Sequence, residues 1–427
     1  MTEWIKASQI NSYLKPDMTV FIAGGNAEPK EILRALEEHP DCCANVHFIS
    51  MFFPGINTTN FANLNPNTRV TSFFATPETR EDIHRGRIDY IPIQYRSIYS
   101  YLENGIDIDM AIAQFPEPFE DGSISLGISV DFLPAVINRA KFIVGEINNR
   151  QPAPKGILIL HLDRLDIATR SSHPLPTSPF IQLNETAVII ANHVSGLIND
   201  GDCVQVGIGA IPDATLAVLF DKNDLGFHSG MLSDGVMALM DSGNANGSVK
   251  NIDKGFAVVG GFAVVGATLG SQELIEWAEE RRDLLFRPVN YTHDSGIVRQ
   301  IDNFVSINSA LQIDLFGQVN ADMLDGRQIS GTGGSVDLMR AASLSKGGRS
   351  ILALYATAAN SKVSRIVPTL SADNAVTALR TDIDYVVTEY GARRIRHLSI
   401  HARAEALIEL AAPKFREDLM ESWRNFF

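Results

Sequence analysis

The chain has 427 residues, 45% of them hydrophobic and 20% charged, with a net charge of −14. That length exceeds what one core ordinarily holds and divides most simply into two domains of roughly 200 residues, while the negative balance excludes nucleic-acid binding through a basic face. The longest apolar stretch, residues 256–269, is broken by glycines and falls short of the roughly 18 apolar residues that a membrane span needs.

The opening Met1-Thr-Glu-Trp-Ile-Lys lacks a basic region followed by an apolar one, so no secretory signal is expected. Residues 1–14 read as a helix. Thr19 to Ala23 then reads as a strand ending in the turn Gly24-Gly25-Asn26-Ala27-Glu28-Pro29, followed by a helix from Lys30 to Glu38. Further strands are expected at Val46 to Met51, Asp89 to Ile93, Met110 to Phe115 and Phe142 to Ile147, with helices at Ser97 to Glu103 and Val130 to Arg139. Strands alternating with helices imply a largely parallel sheet covered on both faces. From Gln151-Pro-Ala-Pro154 to residues 174–179 the chain is proline-rich and reads as a linker, which places a domain boundary near residue 185.

A second alternating set follows. It comprises a helix from Glu185 to Ile198 and strands at Cys203 to Val206, Phe256 to Gly260, Phe304 to Ile307 and Ser350 to Leu354. A last amphipathic helix from Ile400 to Leu410 precedes Pro413. The expected organisation is therefore an N-terminal α/β domain over 1–185 and a C-terminal α/β domain over 186–427. Cys42, Cys43 and Cys203 form neither a disulfide framework nor a metal-ligand spacing, which favours a reducing, cytoplasmic setting. The histidines show no HExxH or related spacing, so no metal is expected.

The chain is organised around residues 202–235. There the strand ending at Val206 opens into Gly207-Ile208-Gly209-Ala210-Ile211-Pro212 and then a helical segment, Ala214 to Phe220. Glycines let backbone N–H groups approach a bound group, and a helix N-terminus favours negative charge, so a phosphate or carboxylate suits this turn. A dinucleotide fingerprint would want glycine at Pro212 and a later acidic residue; Asp221 and Asp224 come too early. A second cluster, Ser330-Gly331-Thr332-Gly333-Gly334-Ser335, precedes the helical segment Val336 to Ser343. Two such turns suggest a polyphosphate or otherwise extended ligand, or else tight βα turns that bind nothing. Lys346-Gly-Gly-Arg349 and Arg393-Arg394-Ile-Arg396 are the basic clusters, read as solvated surface or as phosphate contacts.

GIGAIPDA at 207–214, HSGMLSDG at 228–235, NSALQIDLFGQVNAD at 308–322, SGTGGSVDLMRAASLSKGG at 330–348 and TEYGARRIR at 388–396 together resemble the acetyl-CoA hydrolase/transferase family. GGNAEP at 24–29, PEPFEDGSISLG at 116–127 and the segment Glu146 to Asn148 extend the resemblance over nearly the whole chain. It implies two similar CoA-transferase-type α/β domains with mainly parallel sheets. It also implies an acyl-CoA substrate, a short-chain carboxylate as its partner, no further cofactor, and a homodimer or homotetramer. Carried onto this sequence, it places CoA contacts at Gly207, Ile208, Gly209, Ala210 and Ile211, at Gly331, Gly333 and Gly334, and at Asn308. Ser335 departs from the glutamine that the family usually has after its paired glycines.

One departure bears on mechanism. The resemblance implies a glutamate in a block written His-Thr-Glu-Met, whose carboxylate attacks the thioester and then holds CoA as a glutamyl thioester. Here the block is His228-Ser229-Gly230-Met231, and Gly230 has no group to acylate. Four readings are open. Glu28 or Asp234 substitutes for the missing carboxylate; water enters a space left at Gly230, with His228 or Glu28 as general base in hydrolysis; the chain binds acyl-CoA without chemistry or with a partner subunit; or a different acyl-CoA reaction uses the site. Ser229 does not complete a nucleophile elbow, because histidine stands where that motif needs serine.

Overall fold

The computed structural model describes residues 2–154, 159–177, 183–262 and 270–427. Residues 263–269 of the long apolar run and 178–179 of the proline-rich stretch lie outside them. The chain forms two compact units: Met1–Pro179 with Met231–Ser233 and Val258–Thr292, and Phe180–Gly230 with Asp234–Ala257 and His293–Phe427. This differs from a single cut near residue 185. Residues 258–292 belong to the first unit because Val289 N donates to Asp131 O at 2.9 Å and Gly261 bridges Ser129.

In the first unit the strands are β1 (Glu3–Trp4), β2 (Thr19–Ile22), β3 (His47–Ser50), β4 (Arg69–Ser72), β5 (Asp89–Tyr90), β6 (Met110–Phe115), β7 (Phe142–Asn148) and β8 (Ile167–Ser171). They form one sheet in the order β1-β8-β7-β6-β2-β3-β4-β5, parallel at each pairing. The central strands are buried on both sides, as their continuous apolar runs require. Helix α1 (Lys30–Glu38) turns Ile32, Leu33 and Leu36 into the same core as Val20, Ile22, Phe48 and Phe61. Burial of each such side chain contributes about 1.5–3 kcal/mol.

Two expectations fail here. The helix expected over residues 1–14 is an edge strand followed by a 3-10 turn, Ala7–Ser12. Glu3 N and Ile5 N donate to Asp166 O and Ala168 O, each at 2.9 Å, so the sheet edge captures the segment before it can coil. The stretch expected as a linker contains β8, which sits between β1 and β7. Its Ile167, Ala168 and Thr169 are buried, while only three of its five residues are apolar or β-branched in a run that ends Arg170-Ser171.

The second unit opens with helix α2 (Glu185–Ser195), capped by Asn184, whose Oδ1 accepts from Ala187 N at 2.8 Å. Strands β9 (Cys203–Val206), β10 (Gly226–Phe227), β11 (Phe304–Ser309), β12 (Arg349–Ala353), β13 (Tyr385–Thr388) and β14 (Gly391–Arg394) form a sheet in the order β10-β9-β11-β12-β13-β14. The pairings are parallel except for the final antiparallel hairpin. Helices α3 (Ala210–Ala217) and α4 (Ser335–Leu344) both pack on β11. The closing pair is α5 (Ile400–Leu410) and α6 (Pro413–Arg424). The second of these was not expected from Pro413, yet proline at the first helical position removes only an N–H that would lack a partner anyway. Buried Trp423 shows why the helix is retained: it packs into the cluster that holds Leu407, Leu352 and Val386.

Candidate active site

In the second sheet, β9 leads through α3 to β10 on one side, while β11, its neighbour on the other side, leads through α4 to β12. The connections diverge between β9 and β11, and the crevice at the carboxyl ends of two such strands is where open α/β sheets take ligands. Because each helix returns the chain to begin the next parallel strand, the N-termini of α3 and α4 both lie at this carboxyl edge. That is an anion-favouring arrangement of backbone donors.

The residues 207–211 stand on this edge. Gly207 N donates to Ile307 O at 2.8 Å, which pins the turn to β11. Gly209 adopts φ 113°, ψ −179°, a region that side chains rarely enter, and a Cβ built there would meet nothing within 4 Å. The turn is therefore an open cradle. Ala210 and Ile211 form the first turn of α3, which begins two residues before Pro212. Gly333 has φ 59° and equally open space, and Gly334 caps α4 with Ser335 as its first residue. Gly331 is buried just before them.

Asn308, buried at the end of β11, belongs to a network that sequence reasoning missed. Its Nδ2 donates to Ser306 Oγ at 2.8 Å and to Gln205 Oε1 at 3.2 Å, while Ser306 Oγ donates to Gln205 Oε1 at 2.7 Å. The signal was available, since Gln205 is a polar residue inside the apolar run of a buried strand.

The loop after β10 carries residues 228–230. His228 is fully buried, its N donating to Val204 O at 3.2 Å and its ring edge-on to Phe304. Ser229 Oγ donates to Val206 O at 3.3 Å. Behind the loop, Lys250, only 4% exposed, donates from Nζ to Phe227 O (3.0 Å) and Phe256 O (2.7 Å), and burial lowers its pKa. Asp234 is the first residue of the helix Asp234–Asp241.

Gly230 faces an occupied space. A Cβ built on it would lie 2.6 Å from Cε1 and 3.0 Å from Nε2 of His293, well inside the ordinary carbon contact distance. His293 is 5% exposed, and burial pushes its imidazole down to about 3, so the ring is neutral at physiological pH. A side chain at residue 230 would thus meet an imidazole. His293 was not singled out in the sequence, because only the fold brings it to residue 230.

Glu28 belongs to the first unit, in the turn after β2. It is 7% exposed, and burial raises its pKa to about 7, with Glu146 nearby adding to the effect and Asn57 and Lys30 opposing it. Asn57 Oδ1 accepts from Gly25 N and Phe53 N, both at 2.9 Å, and Asn26 N donates to Ser129 Oγ at 3.0 Å, so the turn is held from several sides. Glu146 accepts from Ile32 N and meets His173 Nε2, both at 3.0 Å. The arginines of both basic clusters have acidic partners: Arg349 pairs with Asp202, Arg393 with Glu409, and Arg394 with Asp384. Among the described residues no group of three His, Cys, Asp or Glu side chains could hold a metal, and no helix is long and apolar enough to cross a membrane.

Residues 2–174 match the acetyl-CoA hydrolase/transferase N-terminal domain and residues 270–423 match the C-terminal domain. The chain belongs to the acetyl-CoA hydrolase/transferase family. It is 35% identical to the 4-hydroxybutyrate coenzyme A transferase of Clostridium kluyveri over 424 residues, covering 99% of this chain and 97% of that one. It is 34% identical to the butyryl-CoA:acetate CoA-transferase of Anaerostipes caccae, covering 80% and 78%. Among solved structures, RipA from Yersinia pestis superposes with a TM-score of 0.91 at 31% identity, covering 99% and 97%. Membership in this family makes the protein an enzyme of acyl-CoA chemistry, with CoA esters as substrates.

Proposed function

We propose that the protein transfers CoA between short-chain carboxylic acids, and that it does so without a covalent carboxylate at residue 230. The acyl-CoA lies at the carboxyl edge of the second sheet, with its phosphates against the N-termini of α3 and α4 and Asn308 beneath. The acceptor carboxylate attacks the bound thioester directly. A C–O bond forms as the C–S bond breaks, leaving a mixed anhydride and the CoA thiolate; the thiolate then attacks the other carbonyl and releases the original acyl group as its carboxylate. Transfer is favoured over hydrolysis because the relatives above 30% identity carry CoA-transferase names.

The observation that carries this reading is Gly230 itself, which offers no group to acylate and whose Cβ position meets the His293 ring. The test is initial-rate kinetics of exchange between butyryl-CoA and acetate, with borohydride trapping. Intersecting double-reciprocal lines and no trapped CoA adduct are expected. Parallel lines with an adduct on Glu28 would favour that buried carboxyl as a substitute nucleophile. Thiol release independent of acetate would favour hydrolysis. CoA binding by calorimetry without turnover would favour the non-catalytic reading. A cytoplasmic setting, supported by the free thiols of Cys42, Cys43 and Cys203 and checked by fractionation, completes the proposal, together with a homodimer or homotetramer checked by light scattering.

A further inference from the structure

Cys42 and Cys43 end the short 3-10 turn Pro40–Cys43, which joins α1 to β3. Because β3 runs parallel to β2, this turn before β3 stands at the opposite edge of the first sheet from the Glu28 turn, which follows β2. Nothing about the pair depends on how CoA is transferred. We propose that Cys42 and Cys43 form a reversible oxidation site for peroxides: Cys42, the accessible sulfur, takes the oxidant, and Cys43, the buried one beside it, closes a disulfide between the two adjacent residues.

Three observations lead there. First, the two sulfurs converge. Consecutive side chains on a helical turn do not ordinarily face each other, yet these Sγ atoms lie 3.8 Å apart, within reach of a sulfur hydrogen bond. Cys42 Sγ also donates to Asn11 Oδ1 at 3.6 Å, a contact that fixes its side chain from a second element. Second, access differs. Cys42 is half-buried, whereas Cys43 is fully buried in the cluster that holds Leu36 and Phe48. An oxidant in solvent therefore meets Cys42 first. Third, the two thiols differ in acidity in the direction this order needs. The hydrogen bond from Cys43 lowers the Cys42 thiol below its ordinary value, against burial and the nearby Asp41, while the same bond, together with burial, raises Cys43. Cys203 is buried and its thiol is pushed up to about 11, so it offers little thiolate to an oxidant.

The chemistry fits such a pair. The Cys42 thiolate attacks one oxygen of the peroxide; an S–O bond forms as the O–O bond breaks, Cys42 is oxidised to a sulfenic acid, and the departing hydroxide takes a proton to become water. The Cys43 sulfur then attacks the Cys42 sulfur. An S–S bond forms as the S–O bond breaks, and the hydroxyl leaves with the Cys43 proton as a second water. Two thiols and one hydrogen peroxide thus give one disulfide and two waters. Consecutive Cα atoms across a trans peptide are about 3.8 Å apart, short of the roughly 4.4–6.8 Å that relaxed disulfides span. The closed ring is therefore strained and readily reduced, which makes the oxidation reversible.

The experiment treats the full-length protein and its Cys42→Ser and Cys43→Ser variants with hydrogen peroxide, alkylates the thiols that remain, and weighs the peptide that spans residues 42 and 43. The unaltered protein should lose both of these thiols together, with the loss of two hydrogens and no added oxygen, and dithiothreitol should restore both while Cys203 stays reduced throughout. Cys43→Ser should stop at the sulfenic acid, which dimedone traps on Cys42. Cys42→Ser should keep Cys43 as a thiol, its oxidation slowed by about tenfold or more. Sulfinic or sulfonic acid on Cys42 of the unaltered protein with Cys43 still a thiol overturns the proposal, as does a Cys42 disulfide between two chains or oxidation of Cys203 at the same rate. Should Cys43→Ser fail to fold, the peptide from the unaltered protein decides alone: two hydrogens lost and recovered with dithiothreitol support the pair, and added oxygen overturns it.

Discussion

Burial keeps the Glu28 carboxyl protonated up to about pH 7, against an ordinary value of 4.5, and keeps His293 neutral down to about pH 3, against 6.5. The consequences for stability run in opposite directions. Between pH 4.5 and 7 the folded chain holds a proton on Glu28 that the unfolded chain has released, so this group makes stability fall as pH rises through that window. His293 binds a proton in the unfolded chain below pH 6.5 but not in the folded one. Its contribution is therefore complete above pH 6.5 and lost as pH falls towards 3. The span at Glu28 corresponds to ~3 kcal/mol. Glu28→Gln removes that term, so the stability of the variant relative to the unaltered protein should rise by about this amount from pH 5 to pH 8 in urea unfolding. A constant difference across that range would show that Glu28 ionises normally.

The strand, turn and helix at 203–217 depend on one backbone conformation. At Gly209 the φ of 113° with extended ψ is essentially closed to other residues, and the space above it is open. Gly209→Ala should cost about 1–3 kcal/mol in unfolding free energy. It should also weaken CoA binding by roughly tenfold or more, because a methyl group then projects over donors that the phosphates are to meet. Calorimetric titration with CoA checks this, and an unaltered affinity would remove the turn from the CoA site. Elements of this kind were legible because sequence and fold agree locally: Cys203–Val206, Met110–Phe115 and Ile400–Leu410 match their expected bounds residue for residue. What was not legible depended on distant partners. Glu3–Trp4 is a strand only because Ile167 and Ala168 lie alongside. His293 matters only because Gly230 faces it. No local propensity encodes either fact.

The division of the whole chain is the clearest case of such a distant constraint. A cut near residue 185 would leave two continuous halves, but Met231–Ser233 and Val258–Thr292 are part of the first unit. Residues 231–232 pair in parallel with 261–262, Arg287 N donates to Val259 O at 2.8 Å, and Val289 N reaches Asp131 O. A fragment of residues 1–185 would lack every one of these partners. It would expose Asp131, whose carboxyl burial raises to about 7, and would leave backbone groups such as Asp131 O without the donors they now have. Such a fragment should lose the sharp, cooperative unfolding expected of a complete unit, whereas a version that also carries residues 231–233 and 258–292, joined by a short linker, should regain it. Thermal unfolding followed by near-ultraviolet circular dichroism makes the comparison. A sharp, reversible transition in the shorter fragment would show that residues 258–292 are an appendage of the first unit, and the single boundary near residue 185 would then describe how this chain folds.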